Sequence, residues 1–160
     1  MKPILLFVLS AFMLWSCNSK TQSTSTTETQ TPPIPVIEET PKNHVITITQ
    51  EEFLEKVANY KTSPNQWKYL GDKPCIIDFY ADWCAPCRRL SPILEDLATE
   101  FAGQILIYKI DVEQNRQISQ DFQIEALPTL IFSPVIGNPQ RVQGLMSKED
   151  LRQAIKDVLL

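Results

Sequence analysis

The chain has 160 residues, a formal net charge of −4 and a hydrophobic fraction of 43%. This length allows one domain with accessory segments, and the hydrophobic fraction is ordinary for a globular protein. No excess of positive charge is present, so we expect no nucleic-acid partner. Four cysteines are too few for a small scaffold held together mainly by disulfides.

The first 17 residues have the pattern of an export signal. One positive charge at Lys2 precedes an apolar run over residues 4–15, and Ser16 and Cys17 follow. The run is shorter than the ~20 residues that a membrane-spanning helix needs. A cysteine at the end of such a run resembles the bacterial lipoprotein signal. We therefore expect a signal peptide over residues 1–16 and a lipid anchor on Cys17, which places the protein on the extracytoplasmic, periplasmic side of a bacterial membrane. The alternatives are an ordinary signal peptide with an incidental cysteine and an uncleaved anchor.

Residues 17–43 are rich in Thr, Ser, Gln and Pro and show no apolar periodicity. Such a segment buries too little apolar surface to offset its ordering entropy, so we expect a disordered tether. His44, at the border of the tether, is expected to be solvated. The globular domain is predicted to occupy residues 44–160.

Within that domain the apolar patterns alternate between strands and helices. Strands are predicted over 45–49, 75–80, 105–110, 127–132 and 140–143. Helices are predicted from a capping box at Thr49 and Glu52, from the cysteine pair to about Gly103, over 115–122, and from Ser147 to the end. Between the first helix and the second strand, Trp67, Tyr69 and Leu70 are expected to pack on the domain. The order β-α-β-α-β-α-β-β-α predicts an α/β fold, whose mixed sheet is parallel in its centre and antiparallel at its C-terminal edge.

Cys84 and Cys87 are separated by two residues where an apolar strand leads into a helix. A thiolate is stabilised at a helix N-terminus, and the thiolate is the nucleophile in thiol–disulfide exchange. Pro86 suits the first helical turn because its missing N–H is not needed there. The spacing therefore favours a redox-active dithiol.

Two other uses of the cysteine pair are less well supported. A zinc site needs two further ligands, but the remaining cysteines are the isolated Cys17 and Cys75 and the one histidine is His44. We therefore predict no metal. A structural disulfide that closes so short a loop would add little stability. Cys75 lies in an apolar strand and is expected to be a small buried hydrophobic residue.

Residues 45–160 resemble a thioredoxin. Residues 83–87 match the active-site pentapeptide of that family, with Ala85 where glycine is most frequent. Leu127 stands where Ile, Val or Thr is more common. The other matching positions are Asp78 at the buried carboxylate, Lys109 at its lysine partner, Pro92 at the proline that kinks the helix, Pro128 at the cis-proline and Gly144 at the groove glycine.

The resemblance implies a thioredoxin fold, a central mixed sheet with helices on both faces, and a role for each matched residue. Cys84 would be the exposed nucleophile and the more buried Cys87 would resolve the mixed disulfide. Asp78 would have a raised pKa and accept the Cys87 proton, with Lys109 as its partner; a solvated carboxylate at the strand end is the alternative. The remaining roles belong to substrate binding: cis-Pro128 would present the Leu127 backbone to an extended substrate, and Trp83, Ala85, Pro86 and Gly144 would line the groove.

The resemblance also implies a monomer that needs no cofactor beyond its redox-active disulfide and that acts on disulfide-containing proteins. Ala85 and Pro86 include no histidine of the kind that stabilises the reduced form in strong oxidants of this superfamily, which favours a reductase. A reductase outside the cytoplasm needs a membrane electron donor. The alternatives are a thiol oxidase or isomerase, a cytochrome c maturation reductase, and a non-enzymatic binding module or holdase.

Overall fold

The computed structural model describes residues 45–160, all of which belong to one compact unit. The predicted signal peptide, the lipidation site Cys17, the tether over residues 17–43 and His44 lie outside the described residues.

Five strands and four helices form the domain. The strands are β1 (Ile46–Thr47), β2 (Cys75–Tyr80), β3 (Leu106–Asp111), β4 (Thr129–Ser133) and β5 (Gln140–Gln143). The helices are α1 (Gln50–Lys56), α2 (Ala85–Glu100), α3 (Arg116–Asp121) and α4 (Lys148–Ala154), and a π-helical turn over Ile155–Leu159 follows α4.

The strands make one sheet in the order β1-β3-β2-β4-β5. Strand β3 runs parallel to both β1 and β2, whereas β4 is antiparallel to both β2 and β5. The predicted element order and the mixed sheet are therefore confirmed. Strand β2 is the third of the five and therefore central, with the parallel β3 on one side and the antiparallel β4 on the other.

Alternate residues of β2 supply the two hydrophobic cores on either side of the sheet. Ile76 packs in the core that α2 and α4 cover, with Leu90, Leu94 and Leu151. Ile77 and Phe79 point to the other face, where residues of α1 and α3 complete the second core. Because the side-chain period of a strand is two, Asp78 shares the face of Ile76 and lies beneath α2. The carboxyl group of Asp78 therefore lies in a strand that is buried on both faces, out of contact with solvent.

Side chains at the helix starts satisfy the free backbone N–H groups there. Thr49 and Glu52 form the predicted capping box of α1. Ser147 Oγ accepts a hydrogen bond from the backbone N–H of Asp150 at the start of α4. At α2 the capping residue is Cys84 itself.

Two strand boundaries differ from expectation by two residues, the other strand ends differ by at most one residue, and one packing prediction is wrong. Strand β1 has two residues instead of five, because Thr49 already caps α1 and the chain must leave the sheet. Strand β4 begins at Thr129 and not at Leu127, because Pro128 has no N–H to donate to a strand ladder. Leu70, predicted to pack, is 45% exposed. Its neighbour Tyr69 is the residue that turns inward, where its hydroxyl donates to the carbonyl of Lys73.

Among residues 45–160, no helix has the length and apolar character needed to cross a membrane.

Candidate functional site

The site forms where β2 ends and α2 begins. Three residues after Ala81 the chain reaches Cys84, which forms a disulfide with Cys87, the Cα atoms being 5.3 Å apart. The backbone N–H of Cys84 donates to the carbonyl of Ala81, which closes the turn between strand and helix. Because β2 is the central strand, this turn stands at the middle of one end of the sheet, flanked by the loops of neighbouring strands.

Cys84 Sγ occupies the anion-binding position of a helix N-terminus. It accepts a hydrogen bond from the backbone N–H of Cys87 at 3.2 Å, as an N-cap oxygen does in other helices. The helix behind it has 16 residues, and Pro86 lies in its first turn. The same N–H and the helix dipole would stabilise a thiolate at Cys84 after reduction.

Both cysteines are buried in the oxidised form. Cys84 is 3% exposed and Cys87 is 1% exposed. Cys84 is therefore not the exposed residue that the resemblance predicts, although Cys87 is, as expected, the more buried of the two. Ala81 packs with both sulfurs, and Leu127 and Val112 lie against this group. The neighbouring Trp83, by contrast, is 66% exposed. The disulfide is therefore largely covered, and the exposed indole of Trp83 is the neighbouring surface that a reacting partner can contact.

Two distant loops are joined beside the disulfide. The Leu127–Pro128 peptide bond is cis, and the Pro128 side chain is buried. The backbone N–H of Gly144 donates to the carbonyl of Pro128 at 2.8 Å. Gly144 has φ +92°, a conformation that favours glycine. The structure thus brings together the positions predicted for substrate binding: Trp83, Ala85, Pro86, Leu127 and Gly144. Val112 joins the group unpredicted, since a β-branched residue after a strand has no distinguishing signal.

Asp78 is a buried carboxyl group without a hydrogen-bond partner. It is 0% exposed, and neither carboxyl oxygen has a partner. Desolvation raises the pKa of Asp78 to about 7, and the positive charge of Lys109 opposes that rise. A solvated strand-end carboxylate, the alternative considered for this residue, does not match its burial. Asp78 can therefore exchange a proton near neutral pH.

Lys109 is placed beside Asp78 but does not pair with it as expected. The two residues are neighbours in the register of β2 and β3. Lys109 Nζ nevertheless donates to Ser91 Oγ at 2.8 Å and lies 4.2 Å from the ring centroid of Tyr80. Among the described residues, no ion pair joins Lys109 to Asp78. Sequence reasoning missed Ser91 and Tyr80; the available signal was the position of Ser91, one helical turn after Cys87.

The third thiol of the domain is separate from this chemistry. Cys75 is fully buried and free, and burial raises its pKa to about 12. A thiol that stays protonated and inaccessible is a poor nucleophile. Within residues 45–160, no cluster of His, Cys, Asp and Glu side chains is suited to hold a metal ion.

The burial of Asp78 predicts a pH-dependent cost to folding. The pKa of this carboxyl group is higher in the folded than in the unfolded chain, so the folded state binds the proton more tightly. Stability is then lost as the pH rises from about 4 through about 7 and is level above that, with a total cost on the order of 4 kcal/mol. Asp78→Asn removes the titration. Its stability relative to the parent should therefore be roughly 2–3 kcal/mol higher at pH 8.5 than at pH 5.

Denaturant unfolding at the two pH values measures this difference. Asp82→Asn is the matched control, because Asp82 lies four residues along the chain but is exposed. It should show little difference between the two pH values. If the relative stability of Asp78→Asn is the same at pH 5 and pH 8.5, the carboxyl group does not have the raised pKa described.

Comparison with known proteins agrees with this geometry. The sequence profile of the Thioredoxin family matches residues 44–157. A thioredoxin of Borreliella burgdorferi is 41% identical over 112 residues, which are 70% of this chain and 95% of that protein. A thioredoxin of Mycobacterium tuberculosis is 36% identical over 89 residues, 56% of this chain and 77% of the relative. Because the Borreliella protein is matched over nearly its whole length, the matched part of this chain corresponds to an almost complete thioredoxin.

Solved structures show the same fold. Chloroplastic thioredoxin z has a TM-score of 0.60 and 26% identity, and the similarity covers 72% of this chain and 94% of that one. A mutant thioredoxin from Halobacterium salinarum has a TM-score of 0.58 and 28% identity, covering 74% of this chain and 94% of that one. The predicted thioredoxin fold is therefore confirmed. The chain belongs to the thioredoxin family and is a thiol–disulfide oxidoreductase that carries the Cys84–Cys87 pair.

Proposed function

We propose that this protein is a membrane-tethered, extracytoplasmic disulfide reductase in which Cys84 attacks and Cys87 resolves. The observation that carries the assignment of the two sulfurs is the hydrogen bond from the Cys87 N–H to Cys84 Sγ at the start of α2. This bond favours negative charge on Cys84, so in the reduced protein Cys84 is the thiolate. Cys87 lies inside the first turn of the helix and is the more buried of the two.

The reaction proceeds in two displacements. The Cys84 thiolate attacks one sulfur of a substrate disulfide; a Cys84–substrate bond forms, and the other substrate sulfur leaves as a thiolate that takes a proton from water. Cys87 then gives its proton to the Asp78 carboxylate and attacks Cys84 Sγ. The Cys84–Cys87 bond forms and the second substrate thiolate leaves. The substrate gains the two electrons that the dithiol loses.

The groove beside the disulfide suits an extended protein substrate. Leu127, Pro128 and Gly144 belong to loops joined by the Gly144–Pro128 hydrogen bond. A peptide that lies along the backbone of Leu127 would make strand-like hydrogen bonds, which accept many side-chain sequences. The exposed Trp83 adds apolar contact area. Disulfide-containing proteins without a shared sequence motif are the substrates that such a surface fits.

The proposed tether is compatible with access to the groove. Strand β1 runs parallel to β2 through β3, so the chain enters the domain at Val45, at the end of the sheet opposite the one where β2 leads to Cys84. An anchor on Cys17 would therefore be linked to the domain at the end of the sheet that does not carry the disulfide. Reduction in that location requires electrons from a membrane donor, because the bacterial periplasm is kept oxidising.

The proposed mechanism is tested by substituting each of the two cysteines in turn, in a fragment that starts at Lys42. We expect the parent fragment to reduce insulin disulfides with dithiothreitol as electron source. Cys84→Ser should lose this activity, and Cys87→Ser should retain substrates as mixed disulfides. Cys75→Ala removes the buried thiol and should leave the activity in place. Full activity of Cys84→Ser would exclude the mechanism, and partner binding that survives loss of both thiols would favour the binding module.

The anchor is tested in the full chain by Cys17→Ala. Loss of the lipid should release the protein into the soluble extracytoplasmic fraction, because the lipid is the proposed means of attachment to the membrane. Fractionation followed by immunoblotting measures the release, with Cys75→Ala as the control that keeps Cys17. A Cys17→Ala protein that stays with membranes as firmly as the parent would show that the lipid assignment is wrong.

Whether the protein reduces or oxidises its substrates in the cell is tested by the redox state of the Cys84–Cys87 pair in intact cells. Ala85 and Pro86 offer no charge or donor that would stabilise the reduced form further, so we expect a reduction potential nearer about −270 mV than about −120 mV. Alkylation trapping should then find Cys84 and Cys87 largely reduced. A pair that is almost wholly oxidised, with a potential above about −150 mV, would make the protein an oxidase or isomerase.

A further inference from the structure

Ser91 links Lys109 to the helix that carries the cysteines. Its hydroxyl donates to the carbonyl of Cys87 at 3.2 Å, one turn earlier in α2. The same oxygen accepts a hydrogen bond from Lys109 Nζ at 2.8 Å. Through this one hydroxyl, a side chain of β3 is connected to the backbone of the resolving cysteine.

The position of the Lys109 ammonium needs an explanation. Lys109 and Asp78 are register neighbours on two parallel strands, and both side chains lie on the face that α2 covers. A lysine in this place would be expected to pair with the buried carboxylate, whose two oxygens have no hydrogen-bond partner. Instead the ammonium lies against Ser91 Oγ and over the ring of Tyr80. The Ser91 hydroxyl and the Tyr80 ring thus compete with the Asp78 carboxylate for the ammonium of Lys109.

We propose that Ser91 is a positioning residue for thiol–disulfide exchange, whose hydroxyl holds the ammonium of Lys109 away from the carboxyl group of Asp78. The inference rests on the proposed role of Asp78 as the proton acceptor of Cys87. A carboxyl group in direct contact with an ammonium would stay ionised and would be a weak base. Held apart from it, Asp78 keeps the raised pKa, about 7, that lets it take up a proton near neutral pH.

Few other groups face Asp78. Among residues 45–160 they are Lys109 on β3, whose positive charge acts on the carboxyl group, and Tyr80 on β2. In the proposed mechanism the Cys87 thiol joins them after reduction. The register partner of Asp78 on β4 is Leu130, which carries no charge. In the oxidised protein, burial is the larger influence on the pKa of Asp78, and the positive charge of Lys109 opposes it.

Removing the Ser91 hydroxyl should therefore lower the pKa of Asp78. In Ser91→Ala the ammonium loses its acceptor, and the unpartnered carboxylate oxygens on the same face replace it. An opposite charge in direct contact lowers a carboxyl pKa by about one unit or more. NMR titration of the Asp78 carboxyl carbon in the oxidised fragment that starts at Lys42 measures this shift. The acidic midpoint of the pH–rate profile for insulin reduction should move in the same direction.

Three variants separate positioning from a structural role. Ser91→Thr keeps a hydroxyl and should titrate as the parent does. Thr99→Ala is the matched control, because the Thr99 hydroxyl donates to the Glu95 carbonyl at 3.1 Å in the same helix, in the same i to i−4 pattern but away from Lys109. In a Lys109→Met background, Ser91→Ala should cause no further shift.

The outcomes are distinct. The proposal is overturned if the titration midpoint of Asp78 in Ser91→Ala equals or exceeds the midpoint in the parent. It is also overturned if Ser91→Thr shifts this midpoint as far as Ser91→Ala does. A downward shift that is also present in the Lys109→Met background overturns it as well, because the effect would not pass through the ammonium. If the expected shift is found while insulin is not reduced, the proposed function fails, and what stands is that the Ser91 hydroxyl holds the ammonium of Lys109 away from Asp78.

Discussion

The electrostatics of the site depend on the free-energy cost of burying one carboxyl group, that of Asp78. Asp78 stands in the middle of the central strand, between hydrophobic cores on both faces of the sheet, and neither of its oxygens has a partner. Such a group reduces the cost by keeping its proton, which is why its pKa lies near neutral. A better-solvated or better-paired aspartate would make the domain more stable and would lose the ability to accept a proton at this pH. The domain therefore loses stability at the residue that the proposed mechanism uses as its proton acceptor.

The topology explains why the functional loops meet at one place. Because β2 is parallel to β3 and antiparallel to β4, the end of β2 lies beside the beginning of β4. Strand β5 returns antiparallel to β4, so its end lies there as well. The turn to Cys84, the Leu127–Pro128 peptide and Gly144 converge for this reason, although about 60 residues separate the first of them from the last. A change in the order of the strands would separate the disulfide from its groove.

The surroundings of the two cysteines differ. The N–H group at the start of α2 is directed at Cys84, whereas Cys87 lies one turn inside the helix above the face that holds Asp78. The N–H donor is thus directed at Cys84, and in the proposed mechanism Asp78 accepts the proton of Cys87. Lys109, held by Ser91 and Tyr80, adds a positive charge near the base without a direct ion pair. The disulfide itself is almost covered in the oxidised form, so the exposed Trp83 is the part of the site that a partner meets first.

What the sequence by itself determined is local in origin. The alternation of apolar runs indicated the element order and the mixed sheet, because strand and helix periods are set by neighbouring residues. The spacing of Cys84 and Cys87 between a strand and a helix indicated the redox chemistry. The apolar run around Asp78 indicated its burial, which the structure bears out with a raised pKa. The short length of β1 was not predicted, because it depends on where the chain leaves the sheet to begin α1. The exposure of Leu70 was not predicted, because it depends on which side of the segment before β2 packs on the domain.

Only the tertiary structure decided how side chains distant in the chain share space. Cys84 was predicted to be exposed, but Leu127 and Val112, from other loops, pack against the disulfide. Lys109 was predicted to pair with Asp78, but a serine on α2 and the ring of Tyr80 take its ammonium. Neither contact has a signature in the sequence, because the partners are brought together by strand register and helix packing. Local order follows from neighbouring residues in the chain, whereas the electrostatics of the site follow from contacts between elements that only the folded sheet brings together.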